Sequence, residues 1–94
     1  MGIPHDQELL TAINSSERKL RTALDELELQ VSMGVRAPHT AHLLRQCKNM
    51  ADMHQQNIAR LGPGESEDAL RNAAARLAER VLLLGDEFAL HSVQ

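Results

Sequence analysis

The apolar residues of this chain recur every three or four positions in three separate stretches, and nowhere alternate with period two. That spacing belongs to helices that bury one face. In the first stretch Leu9, Ile13, Leu20, Leu24, Leu27 and Val31 form the stripe. It skips a turn after Ile13, where Ser16 and Glu17 stand instead, so polarity interrupts the seam there. In the second stretch Leu44, Cys47, Ala51, His54, Ile58 and Leu61 step by three and four without a break, a heptad pattern. Leu43 and Met50 widen it on one side. The third stripe is the most regular: Leu70, Ala74, Leu77, Val81, Leu84, Phe88 and His91.

Two Gly/Pro clusters separate the stretches, "MGVRAP" at 33–38 and "LGPGES" at 61–66. With them the pattern predicts helices over about 6–33, 38–61 and 65–92. Pro4 precedes the first, and Asp6 and Glu8 place acids at the positive end of its dipole. Gly34 suits the residue just past its end, and Pro38 suits the first turn of the second helix. Glu65, Glu67 and Asp68 crowd the first turn of the third, with Gly64 or Ser66 available as cap. Gly85 lies inside the third pattern, where glycine costs about 1 kcal/mol relative to alanine. It marks a kink, a close helix approach, or a helix end with Asp86 capping a short final one. The expected fold is all-α and one domain: a three-helix up-down-up bundle, or an extended helical hairpin plus a third helix.

Composition makes this bundle thin. Among 94 residues there are one Phe, no Trp and no Tyr, and much of the 43% hydrophobic content is alanine. Alanine favours helix but buries little area, so a partner or a second copy is expected to complete the core. Leu82, Leu83 and Leu90 fall off the third stripe and add apolar surface. The third helix is therefore the expected site for a partner's helix or for homodimer formation, through Leu70, Leu77, Val81, Leu82, Leu83, Leu84, Phe88 and Leu90.

Charge narrows the partners. The net charge is −3, and few aromatics are present to stack bases, which argues against nucleic acid. Residues 6–33, 36–60 and 65–94 carry −3, +3 and −3 in order. Opposite charge beside the seams would then favour pairing the middle helix with each neighbour, by roughly a few tenths of a kcal/mol per pair; the alternative is that each helix only carries a solvated charged face. The longest apolar run, "VLLL", is far short of a membrane span. The N-terminus has no basic, apolar signal pattern, and a lone cysteine allows no internal disulfide. These features suit a soluble cytoplasmic protein with no membrane insertion.

"CKNMADMHQQN" at 47–57 is the one stretch that invites chemistry. Cys, Met and His are ligands for soft metals such as Cu(I). On a helix Cys47, Met50 and His54 share a face, while Met53 points away. Cys47 and His54 are nearly two turns apart, at about 5.4 Å per turn, so one helix cannot close such a site. The stretch reads as seam packing. His39 and His42 form an i, i+3 pair with no Cys or carboxylate beside them to complete a zinc site. His54, with Cys47 a heptad before it, is either a satisfied residue of the core or the one that sets which helix packs on the seam, and in that second role it would make assembly sensitive to pH near 6.5, roughly the imidazole pKa. No nucleophile elbow, phosphate-binding glycine loop or HExxH motif is present. The expectation is no catalytic residue, no metal, no cofactor and no enzyme.

Residues 17–61, "ERKLRTALDELELQVSMGVRAPHTAHLLRQCKNMADMHQQNIARL", combine a charged amphipathic helix, a Gly-Val-x-x-Pro turn and a second helix with Leu, Ala and Met on one face. This half of the chain resembles the co-chaperones of the type III secretion needle subunit. In that family an α-helical hairpin in the cytoplasm binds a TPR-type chaperone, and the two keep the needle protein from polymerising. The chain departs from it in lacking an aromatic end to the second helix and in adding a third. The resemblance implies a partner-binding module, a chaperone, co-chaperone or adaptor. A regulatory subunit such as an antitoxin or inhibitor, and a soft-metal-binding bundle, are the alternatives.

Overall fold

The computed structural model describes the backbone of residues 4–35 and 37–92, and the side chains of 7–35 and 37–90. It contains three helices: α1 (Pro4–Ser32), α2 (Pro38–Ile58) and α3 (Glu65–Ser92). The side chains of Asp6 and His91, which the pattern used as a helix-start acid and a seam residue, lie outside the described set.

Local chemistry accounts for each end. At the end of α1, Gly34 adopts φ +76°. Its N–H bonds the Val31 carbonyl at 3.0 Å, and the Val35 N–H bonds that of Gln30 at 2.9 Å. These are the two bonds of a Schellman cap, and they satisfy carbonyls the helix leaves open. Ala37, forced out of the helical region by the proline after it, sits extended at ψ 157°, and Pro38 begins α2. That helix ends at Ile58, three residues short of the position the heptad pattern suggests. The Arg60 and Leu61 N–H groups reach back only three residues, to Asn57 and Ile58. The coil tightens and leaves the helix before Gly62 and Pro63. Helix α3 runs through Gly85 without ending there.

Side-chain contacts fix the topology. Thr40 bonds Gln30 and His54 bonds Ser16, so α2 descends as α1 ascends. Gln55 reaches the Ala74 carbonyl, and Leu44 and Lys48 approach Gly85, so α3 ascends again. Arg80 meets Asp25 and Glu28, which sets α1 and α3 side by side and parallel. All three helix pairs touch. The molecule is the closed up-down-up bundle, 57 × 19 × 16 Å.

The core divides in two. Ten buried residues, among them Leu20, Leu24, Leu27, Leu44, Cys47 and Val81, form a large cluster toward the α1–α2 turn. Ile13, Ile58 and Ala74 form a small one toward the α2–α3 turn, with Leu9, Leu61 and Leu70 partly buried around it. Between them, where α1 skips its apolar turn, lie Ser16, Glu17 and His54.

Candidate functional site

The eight α3 residues expected at a partner interface separate into two sets. A helix can aim only one stripe inward, and Leu77, Val81 and Leu84 lie on it. They are buried in the large cluster, so they are occupied by the chain's own α1 and α2. Phe88 packs partly buried against the same cluster and Leu70 against the small one. Leu82, Leu83 and Leu90 face outward, 65%, 61% and 73% exposed. Leu82 forms the lip of a shallow groove between α2 and α3, with Lys48, Ala51, Asp52, Ala78 and Val81. Leu83 and Leu90 alternate with Glu79 and Asp86 at spacings of four, three and four, so the outer face of α3 carries its own acidic-apolar stripe.

Cys47 and His54 are both buried, in different surroundings. Cys47 belongs to the large apolar cluster, and burial pushes its thiol pKa up, opposed by the nearby Arg80 charge. A protonated, enclosed thiol is a poor nucleophile and a poor ligand. Met50 packs half-buried against that cluster, and Met53 is exposed. His54 is 1% exposed. The Ser16 hydroxyl donates to the Ile13 carbonyl at 3.0 Å and meets Nδ1 of His54 at 2.5 Å. The hydroxyl has one proton, so with it on the Ile13 carbonyl the ring is assigned the tautomer in which Nδ1–H donates to the Ser16 oxygen. Nε2 is buried and has no hydrogen-bond partner among the described residues. Burial lowers the His54 pKa below 6.5, and the Glu17 carboxylate partly opposes this. The partner of the ring is a serine across the helix pair; the cysteine of the "CKNMADMH" stretch belongs to the large apolar cluster, which does not include His54. His39 and His42 are exposed on the first turn of α2. Among the described residues no three His, Cys, Asp or Glu side chains converge as a metal site.

Three contacts escaped the sequence reading. Thr40 is fully buried and bonds Gln30 Oε1 at 2.7 Å; the stepping pattern of α2 extends back to it from Leu44, which was the available signal. Arg71 donates to the Leu61 carbonyl at 3.0 Å and the Gly62 carbonyl at 2.6 Å, tying α3 to the turn that precedes it. Arg80 bridges Asp25 and Glu28, both at 2.8 Å. These last bonds correct the expected charge pairing: among the described residues, the ion pairs between helices join α1 to α3, and none involves the basic α2. Segment charge does not decide pairing because Arg80 lies beside the seam shared with α1, whereas the α2 cations Arg45 and Lys48 are exposed.

No described helix is long and apolar enough to cross a membrane. Set against known protein families, curated proteins and solved structures, the chain gives no match.

Proposed function

We propose that this chain is a cytoplasmic protein-interaction module, a chaperone, co-chaperone or adaptor, that receives a partner's helix along the outer face of α3. The observation that supports the reading is the exposure of Leu82, Leu83 and Leu90 on a helix whose inner face is already used. Isolated exposed leucines are ordinary; Leu83 and Leu90 in one stripe, with Leu82 beside them at the lip of a groove, make the broad apolar face that helix docking uses. Glu79 and Asp86 in the same row favour a partner helix with basic residues flanking its apolar seam. The resemblance of residues 17–61 to needle-subunit co-chaperones of type III secretion makes a TPR-type chaperone the first partner to try. A second copy of the chain is the other occupant, and it would use the same leucines.

The test is site-specific photo-crosslinking in the native host, with the crosslinker at position 83 or, as control, at exposed position 18. The expected result is one discrete adduct from position 83, absent from position 18 and lost in Leu82→Glu, Leu90→Glu. Equal labelling from both positions, or none, overturns the reading.

A further inference from the structure

The polar layer between the two core clusters has more in it than packing requires. Ser16, Glu17 and His54 occupy a full turn of the bundle where an apolar layer would otherwise join Ile13, Ile58 and Ala74 to Leu20, Ala51 and Leu77. We propose that this layer is an acid-operated latch: when the His54 ring takes a second proton, the small cluster opens and the large one stays closed.

In the neutral state Nδ1–H meets the Ser16 oxygen, whose own proton is committed to the Ile13 carbonyl. Nε2 is buried and has no hydrogen-bond partner among the described residues. A proton added there creates a buried N–H donor and a positive charge that no described residue accepts in the closed bundle. A buried, unpaired donor of this kind is costly, and the cheapest relief is to let water in. The surroundings do little to hold the charge. On α1 the facing groups are Ser16 and Glu17, and the Glu17 carboxylate is already bonded to Arg21 at 2.9 Å. On α3 the core residues at this level are Ala74 and Leu77, which are uncharged. Of the nearest charged residues of α3, Arg71 is turned to the Leu61 and Gly62 carbonyls, and Arg76 and Glu79 are exposed. On α2 itself the Gln55 side-chain N–H donates to the Ala74 carbonyl, and Gln55 and Asp52 are exposed.

Water enters on the weaker side. The small cluster has three buried residues, one of them alanine, and the large cluster has ten. The end that opens therefore comprises the start of α1, the end of α2 and the start of α3, and opening bares Leu9, Ile13, Ile58, Leu61 and Leu70. The sign follows from linkage. The open state titrates near the ordinary imidazole value and the closed state below it, so opening binds a proton. The closed form is fully favoured above about pH 6.5 and loses ground as pH falls below it, by up to about tenfold per pH unit for one proton. The proposal is independent of whether α3 docks a partner.

Native-state amide exchange on the full chain, corrected for the intrinsic rate at each pH, reads this directly. From pH 7.5 to pH 5.5 the amides of residues 13–16 and 55–58 are expected to lose up to about tenfold in protection, while those of 24–31 and 44–47 hold. In His54→Gln, whose side chain cannot charge, the difference between the two groups no longer depends on pH. Should that variant prove unfolded by circular dichroism, Glu17→Gln serves instead. Removing the one carboxylate that opposes the shift extends the loss, so protection at pH 5 falls further than in the wild type. Equal loss at both groups, no loss at either, an unchanged pH response in His54→Gln, or an unchanged loss in Glu17→Gln overturns the latch.

Discussion

At the scale of single residues, Gly34 ends a helix and Gly85 lies within one. Gly34 was legible as a helix stop because only glycine takes its φ without strain, and the Schellman bonds form there. Gly85 was not legible, because the pattern allowed a kink, a close approach or an end. The helix continues through it, and a Cβ built there meets Leu44 Cδ1 at 3.8 Å and Lys48 Cε at 3.9 Å, ordinary contact distances. Gly85→Ala should therefore stabilise the protein by about 0.5–1 kcal/mol, read as a higher urea midpoint with an unchanged slope. A drop in midpoint would show that backbone approach at this point is tighter than these distances. The buried thiol supplies a second residue-scale outcome. Cys47 should react with an aromatic disulfide reagent at pH 8 roughly a hundredfold or more slower in buffer than in 6 M urea, since it is reached only by opening of the large cluster. Thr40 is a third case. Thr40→Val keeps the volume but strands Gln30, and should cost about 1 kcal/mol in urea denaturation.

At the scale of elements, periodicity foretold the three helices and their inward stripes, because a heptad pattern leaves only one face to bury. It left the contacts between elements undetermined. Arg71 shows why: nothing in "EDALRNAA" reveals that a guanidinium will turn back to two carbonyls of the preceding turn. Such bonds depend on where the chain re-enters, which is a property of the loop and both helices together. Arg71→Met should leave helix content unchanged and loosen the α2–α3 connection. The expected signs are a loss of about 1 kcal/mol and faster proteolysis at residues 60–64. The Arg80 bridge is a weaker element-scale device. Its carboxylates are largely exposed, so a double-mutant cycle with Asp25 should give a coupling of about 0.5 kcal/mol that fades in 1 M salt.

At the scale of the whole molecule, the polar layer at Ser16 and His54 was half visible. The gap in the α1 stripe and the histidine in the α2 stripe could each be seen, but only antiparallel register brings them together. The division of the core that results was not legible, since it depends on the polar positions of α1 and α2 falling at one level of the bundle. It makes stability uneven along the bundle. Leu24→Ala, in the large cluster, should cost about 3 kcal/mol and lower protection everywhere. Ile58→Ala, in the small cluster, should lower protection mainly at residues 9–16 and 55–61 and leave 24–31 close to wild type.

The bundle's proportions, 57 Å long and under 20 Å in either cross direction, have a hydrodynamic consequence. A rod of 10.4 kDa sediments more slowly than a sphere of that mass. Two rods joined along α3 double the mass while adding little length, so the pair is rounder than the single chain and its frictional ratio falls. Two rods joined end to end are more slender, and the ratio rises. Sedimentation velocity across a concentration series thus reports which face of the molecule meets its neighbour, without any label or substitution.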